Sequence, residues 1–291
     1  MLAPKQWRIL FFTTLLFVQV IFIVLTFITR DTLFLRSFGK DQLPYGILAV
    51  SFAQLPFLSV FAKCLRAYTL NRVAICTSVG VGVTYFLFYQ AIIWHADVDV
   101  GLRSEDALKI TAAGYYIISQ VAIAVMQSVF WESVSASFEM SDQKLSISSI
   151  TYGSTFASLF IGFFFMKQLQ HWGVSTIDNV LLLCVVALLI SAFYYLGPTN
   201  VNQKTGRKKD DSQRGAPSEQ TKVSPSAVRI LLSKPYYVHM CTFELAASIG
   251  RVLADIQMLA ILSHLSEAEM KNNLGYINGF QSLIMIPLQY C

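Results

Sequence analysis

The chain has 291 residues and a formal charge of +5, with 55% hydrophobic and only 13% charged residues. A soluble domain has about 25% charged residues, so this chain carries too little charge to coat a soluble globule of its size. Its apolar residues come in blocks of about 20, the length that spans a bilayer as a helix. The composition predicts an all-α, polytopic membrane protein with the lipid bilayer as a partner. Its basic balance is better explained by membrane topology than by nucleic-acid binding.

Eight apolar runs are predicted to be membrane-spanning helices, because an open strand in lipid would leave backbone groups unpaired. We number these spans one to eight: residues 9–29, 43–62, 73–94, 111–131, 147–166, 177–197, 236–262 and 274–291. The first run follows a short basic segment, as the apolar part of a signal peptide does. It is 21 residues long and no small-residue cleavage site follows it, so a membrane helix is predicted instead.

A hydrophilic segment, residues 198–226, separates the first six spans from the last two. Its composition cannot bury enough apolar surface to offset the entropy of ordering, which predicts a linker. With a cytoplasmic N-terminus, 14 Lys and Arg residues fall on the inner side and 7 on the outer side, which favours a cytoplasmic linker. Residues 1–197 are then a six-helix half. Residues 227–291 begin a second half that we expect to be unfinished where this chain stops.

The seventh span holds ionisable residues inside an apolar run: Glu244, Arg251 and Asp255. At about 100° per residue, their spacing places all three and Ser248 on one helix face. Each charge in a span costs about 2.5–3.5 kcal/mol on insertion scales, so such groups usually face a cavity or each other. This face is therefore interpreted as the lining of a solute pathway. The alternative is an Arg251–Asp255 pair that only neutralises itself.

Five further polar residues are candidates for the solute pathway. Gln120 and Gln127 are seven residues apart in the fourth span and share a face, either as pore-lining donors or as hydrogen-bonding contacts between helices. Glu132 lies near the inner membrane boundary and could equally be a solvated charge at a helix end. Arg30 and Asp31 lie at the outer end of the first span, where adjacent residues point about 100° apart and need not pair. Arg30 could instead extend to the membrane interface.

Catalytic and cofactor motifs were also sought. The sequence contains no phosphate-binding loop of the Gly-x-x-x-x-Gly-Lys-Ser/Thr type, no His or Cys spacing typical of a metal site, and no apparent Ser–His–Asp constellation. The five cysteines show no close pair and no disulfide framework. We therefore expect neither an enzyme nor a bound cofactor or metal.

Three segments resemble a known family. They are Thr29–Gly39, which reads TRDTLFLRSFG, Ser128–Gly162, which contains a Phe-Trp pair and a Ser-rich helix, and Leu232–Ala260, which contains Lys-Pro-Tyr-Tyr and Asp-Ile-Gln. Together they are similar to the ATP/ADP translocases of plastids and intracellular bacteria, and to their wider relatives in the major facilitator superfamily. Two charged substrate-site residues of that family, a Lys and a Glu, correspond here to Ile47 and Ser119, which are uncharged.

The resemblance and the layout together predict a secondary-active solute transporter of the major facilitator type. Its partner would be a small solute, anionic or a nucleotide, exchanged as the two halves rock around a midplane site. The loss of both family charges weighs against ATP itself, since a triphosphate needs fixed cationic partners. The alternative is a truncated, non-transporting paralogue that acts as a scaffold or regulator in the membrane.

Overall fold

In the computed structural model of this chain, residues 4–97, 102–138, 140–197 and 253–288 are described. These ranges are helical and contain no strand, which confirms the predicted all-α class. A π-helical turn, Ile161–Phe165, joins the fifth and sixth helices into one continuous helix. The helices are α1 (Pro4–Phe38), α2 (Leu43–Ala67), α3 (Leu70–Asp97), α4 (Leu102–Ser137), α5 (Met140–Phe160), α6 (Met166–His171), α7 (Thr176–Leu196), α8 (Leu253–Leu262) and α9 (Glu267–Leu288).

Six helices are long and apolar enough to cross a membrane: α1, α2, α3, α4, the continuous helix α5–α6, and α7. They coincide with the first six predicted spans, so their length and composition support the predicted multi-pass membrane protein. Several helices exceed the predicted bounds. The fourth span was predicted at 111–131, but α4 runs from Leu102 to Ser137, because backbone hydrogen bonding continues past the apolar window.

The last two predicted spans are only partly described. Residues 236–252 and 289–291 lie outside the described ranges, and the remainder is helical as α8 and most of α9. The described residues of α8 as far as Ile261 belong to a second compact unit. The first compact unit contains α1 to α7 together with α9.

Helix α1 lies at the centre of the first unit. It packs against α4, α5, α7 and α9, and half of its most apolar window is buried. Its inward side chains are large and apolar, among them Phe12, Leu15, Phe22 and Leu25. The corresponding window of α2 is only 6% buried, and α2 packs mainly against α4. The sequence therefore supplies a central helix, α1, and a more peripheral one, α2.

The helices alternate in direction, as contacts at the two ends of the bundle show. Arg8 near the start of α1 donates a hydrogen bond to the carbonyl oxygen of Ser137, the last residue of α4, at 3.3 Å. The ring of Phe11 lies 6.4 Å from that of Phe193 near the end of α7. The turn between α6 and α7, where Gly173 has a φ of 69°, consequently lies at the opposite end of the bundle, with the C-terminus of α1.

Glycines set the closest helix contacts. A Cβ atom on Gly153 of α5 would lie 2.4 Å from the carbonyl oxygen of Thr13 on α1. A Cβ atom on Gly162, in the π-helical turn, would lie 2.5 Å from the carbonyl oxygen of Gly275 on α9. Small residues allow such backbone contact between membrane helices. They place the first half of α9 directly against the fifth span and α6.

Candidate functional site around Arg30

The candidate site is built on α1, near the point where the first apolar run was predicted to end. The helix continues past residue 29 for nine more residues, because Leu33, Phe34 and Leu35 are again apolar and buried. Arg30 and Asp31 are thereby held inside the bundle, with only 9% and 7% of their surfaces exposed. A charged pair in such surroundings is costly and is a functional-site candidate by default.

The Arg30 guanidinium contacts two polar side chains, Asp31 and Gln120. Its Nε donates to the Asp31 carboxylate at 2.7 Å, and its Nη2 lies 2.7 Å from the same oxygen, Oδ1. Its Nη1 donates to the side-chain oxygen of Gln120 on α4. The ion pair is therefore formed within α1, between adjacent residues. The hydrogen bond to Gln120 links this pair to a second helix, α4.

Two aromatic rings complete the surroundings of the guanidinium. The Arg30 carbon Cζ lies 4.8 Å from the ring centre of Phe27 on α1 and 4.6 Å from that of Tyr116 on α4. The negative ring faces attract the cation, by about 2 kcal/mol where water is excluded. We call Arg30, Asp31, Gln120, Phe27 and Tyr116 the Arg30 cluster. Its guanidinium is neutralised by Asp31, bonded to Gln120 and flanked by the two aromatic rings.

A group of buried tyrosines lies beside the cluster. Tyr85 of α3 and Tyr115 of α4 are fully buried, with ring centres 5.4 Å apart. Tyr85 also stacks on Phe22 of α1 at 5.5 Å and faces the hydroxyl of Thr26. Within the described ranges, the Tyr115 hydroxyl has no hydrogen-bond partner. Hydroxyl groups from α1, α3 and α4 thus lie in an apolar core beside the buried guanidinium of Arg30.

The charged face predicted in the seventh span is mostly outside the described ranges. Glu244, Ser248 and Arg251 lie there, so their arrangement is not described. Asp255 lies in α8, in the second compact unit. The interpretation of this face as a pathway lining remains a prediction.

The other predicted candidates fall in two different environments. Arg30, Asp31 and Gln120 come together, although each was a separate candidate and Gln120 follows Arg30 by 90 residues in the sequence. Gln127 and Glu132 are exposed on α4. Gln120 and Gln127 were expected to act from a shared face, yet only Gln120 is drawn into the cluster, because α1 passes α4 at that level.

The two positions that replace family charges can also be placed. Ser119 is fully buried, and its hydroxyl donates to the carbonyl oxygen of Tyr116, one turn earlier, at 3.0 Å. Ile47 is half-buried in α2. Neither position carries a charge, so neither offers an anion a partner of the kind that the family residues would supply.

The tyrosines were not among the predicted site residues. One signal was present in the sequence: Tyr116 and Gln120 are four residues apart, which places them on the same face of a helix. No comparable spacing links Tyr85 to either of them, since it lies on another helix. Elsewhere in the described part of the chain, no three His, Cys, Asp or Glu side chains are grouped closely enough to hold a metal ion.

The arrangement can bind an anion by exchange of partners. A guanidinium presents several N–H donors and is well suited to carboxylate or phosphate oxygens. An entering anion could take the place of the Asp31 carboxylate while Gln120 and the two rings keep the guanidinium in position. Compared with protein-family models, with curated proteins and with solved structures, the chain matches none of them, so this geometry is the basis on which its function must be inferred.

Proposed function

We propose that this chain is a secondary-active membrane transporter for a small organic anion, and that the Arg30 cluster is part of its solute site. The observation that carries the proposal is the burial of a guanidinium and a carboxylate inside a bundle of six apolar, membrane-length helices. Charged residues inside membrane bundles usually mark substrate or ion pathways.

A purely structural role explains the cluster less well. A buried ion pair contributes little net stability, because desolvation offsets the attraction between the charges. The Arg30–Asp31 ion pair also lies within one helix. The hydrogen bond from Arg30 to Gln120 links α1 to α4.

The site favours an anion with one carboxylate or phosphate group. The single guanidinium is neutralised by the single carboxylate of Asp31. A solute that replaces Asp31 should therefore carry one anionic group. A nucleotide such as ATP or ADP would require additional cations, for which Arg251 is the sequence candidate. The resemblance to the ATP/ADP translocases supports nucleotide exchange, whereas the uncharged Ile47 and Ser119 weigh against it.

The wider mechanism follows the predicted layout. In it, the six helices of residues 1–197 form one half of a major facilitator-type transporter, and α8 and α9 begin the second half. The N-terminus and residues 198–226 lie in the cytoplasm, as the distribution of Lys and Arg favours. Alternating exposure of a central site then moves the solute, and Arg30 exchanges Asp31 for the solute during each cycle.

The experiment is uptake by proteoliposomes that contain the purified full chain. ATP, ADP, a monocarboxylate and an uncharged nucleoside are each tested as labelled solutes. We expect uptake of at least one anion, little uptake of the nucleoside, and loss of anion uptake in Arg30→Met. Arg36→Met, which changes an exposed residue in the last turn of α1, is the matched control and should retain uptake.

Arg30→Lys keeps the charge without the planar fork and should retain part of the uptake, which separates a role in binding from a folding defect. Unchanged uptake in a folded Arg30→Met variant would remove Arg30 from the solute site. Absence of uptake of every solute by the folded wild-type protein would instead favour the scaffold or regulator alternative.

A further inference from the structure

The tryptophan and tyrosine side chains that the bundle leaves exposed lie at the ends of its helices. The chain has four tryptophans, each between 37% and 72% exposed: Trp7, Trp94, Trp131 and Trp172. Within the described ranges the exposed tyrosines are Tyr45, Tyr68 and Tyr195. Each of these residues lies in the first or last two turns of a helix, or directly after its end. Tryptophan is highly buried on average in folded proteins, so its exposure at all four positions requires a physical reason.

The exposed aromatic residues form two groups, one at each end of the bundle. The start of α1 lies beside the ends of α4 and α7, as a hydrogen bond from α1 to α4 and a ring contact from α1 to α7 show. These three segments carry Trp7, Trp131 and Tyr195, which we call the first belt. Because the helices alternate in direction, the end of α3 and the residue after α6 lie at the other end of the bundle. They carry Trp94 and Trp172, which we call the second belt.

The separation of the two belts matches the thickness of a bilayer. Helices α3 and α7 cross at Gly82, where a Cβ atom would lie 3.4 Å from the Leu188 side chain and 3.5 Å from the Cys184 carbonyl oxygen. From this crossing, Trp94 is 12 residues along α3, or about 18 Å at a rise of 1.5 Å per residue. Tyr195 is 7 to 11 residues along α7 in the other direction, or about 11–17 Å. The belts are therefore about 29–35 Å apart, close to the hydrocarbon thickness of about 30 Å in a typical bilayer.

The exposed surface between the belts has a different composition. On α3 and α7, its large exposed side chains are aliphatic or phenylalanine, for example Val83, Phe86, Leu87, Val185 and Leu189. In the described part of the chain, no exposed tryptophan or tyrosine lies between the belts. Rings with a polar N–H or O–H group are thus separated from purely apolar side chains by depth. A docking surface for one protein partner would not require this separation at both ends of several helices.

We propose that the two belts bind the interfacial zones at the two faces of a phospholipid bilayer, and that the exposed surface between them contacts the acyl chains. Each indole N–H or phenol O–H would donate to an ester or phosphate oxygen of a lipid, while its ring stays in the apolar layer. The belts would thereby fix the depth of the bundle in the membrane. This assignment uses side-chain exposure and position, which are independent of the helix lengths and composition considered above.

The test uses the native tryptophans as reporters, because all four belong to the belts. The purified full chain is reconstituted into phosphatidylcholine vesicles whose acyl chains carry bromine either near the headgroup or near the terminal methyl group. Bromine quenches tryptophan fluorescence only at close range, so we expect a larger loss of fluorescence with the shallow bromine. Trp7→Phe with Trp131→Phe leaves the tryptophans of the second belt, and Trp94→Phe with Trp172→Phe leaves those of the first. Both double variants should show the same preference for shallow bromine.

Phe86→Trp is the matched control, in a chain whose four native tryptophans are replaced by phenylalanine. Phe86 is 42% exposed on α3 and precedes Trp94 by 8 residues, which places it about 12 Å closer to the first belt. Its fluorescence should be lost mainly with the deep bromine. Restoring Trp94 alone in the same background should reverse this preference. Helical content measured by circular dichroism should be unchanged in every variant.

Three results would overturn the proposal. Quenching of the native tryptophans that is as strong with deep bromine as with shallow bromine would place the rings in the hydrocarbon core. Quenching by neither lipid would show that the rings do not contact the bilayer, and would leave them for a protein partner. A preference for shallow bromine in only one of the double variants would remove the other belt. None of these outcomes depends on whether the chain transports a solute through the Arg30 cluster.

Discussion

Two cations of the first compact unit, Arg30 and Lys271, are buried almost equally, at 9% and 8% exposure, but in opposite surroundings. Arg30 contacts a carboxylate, an amide oxygen and two aromatic rings. Lys271 lies at the wall of a cavity, near an amide oxygen without a hydrogen-bond partner in the described ranges. Burial alone therefore does not indicate what a charged residue does.

The difference lies in what surrounds each charge. At Arg30 the next residue of α1 supplies the opposite charge, so under the proposed function a ligand must displace Asp31 to bind. Lys271 lies at a cavity wall that is also lined by uncharged polar residues of α6, α7 and α9.

The largest effect should come from breaking the closed cluster. Arg30→Met leaves the Asp31 carboxylate buried without its partner, which costs about 3–5 kcal/mol of stability. Arg36→Met should cost much less, about 1 kcal/mol or less, because Arg36 is exposed in the last turn of α1. Thermal unfolding of both variants in the same detergent, followed by circular dichroism, measures the two costs side by side.

A double variant separates the cost of the unpaired charge from the loss of packing. Arg30→Met combined with Asp31→Asn removes both charges, so it should recover most of the stability that Arg30→Met alone loses. If the double variant is as unstable as the single one, the cost arises from the packing of the long side chain. If Arg36→Met is as damaging as Arg30→Met, the burial of the Arg30 cluster does not account for the cost.

The second effect tests the glycine contact of α9. A methyl group at Gly162 would lie 2.5 Å from the carbonyl oxygen of Gly275, so Gly162→Ala must push α9 away from the fifth span. Overpacking of this kind costs about 1–3 kcal/mol, so we expect a lower melting temperature, measured by circular dichroism in detergent. Solute uptake that depends on Arg30 should be affected less, because that cluster lies between α1 and α4.

Gly80→Ala on α3 is the control for this change, since a Cβ atom there has no neighbour within 4 Å. It should leave uptake unchanged, and it should stabilise the helix slightly through its propensity. A melting temperature of Gly162→Ala equal to that of the wild type would mean that the glycine contact does not determine how closely α9 packs.

Much of the fold was predictable because lipid imposes it. Blocks of apolar residues of a set length identified all six membrane-length helices. The ends were less predictable: the first span was predicted to stop at residue 29, because Arg30 and Asp31 interrupt the apolar run. The helix in fact continues to Phe38, since its own backbone hydrogen bonds are satisfied whatever the side chain.

The sites were less predictable than the helices, because they depend on which helices are neighbours. Arg30 and Gln120 were both candidates, but no periodicity in the sequence indicates that α1 contacts α4 where these two residues lie. The packing of α9 against the fifth span depends in the same way on the contact between Gly162 and Gly275, which no pattern in the sequence predicts.

The smallest effect concerns the first turn of α9, which carries Lys271. The hydroxyl and the backbone N–H of Ser266 both donate to the Glu269 carboxylate, at 2.7 and 3.1 Å, and these bonds lower the pKa of Glu269. A pKa that is lower in the folded state means that the ionised carboxylate stabilises the fold. This contribution is complete above the pKa of the unfolded chain and is lost as the pH falls through the folded value.

Glu269→Gln removes that titration, so we expect it to lower the melting temperature slightly at pH 7 and to leave it unchanged at a pH well below the ordinary pKa of a glutamate. Calorimetric melting of the wild type and the variant at both pH values measures the difference. Glu132→Gln is the control, since that exposed carboxylate on α4 is remote from α9. A deficit of Glu269→Gln that grows as the pH falls would reverse the sign of the linkage. It would show that the carboxylate does not stabilise the first turn of α9.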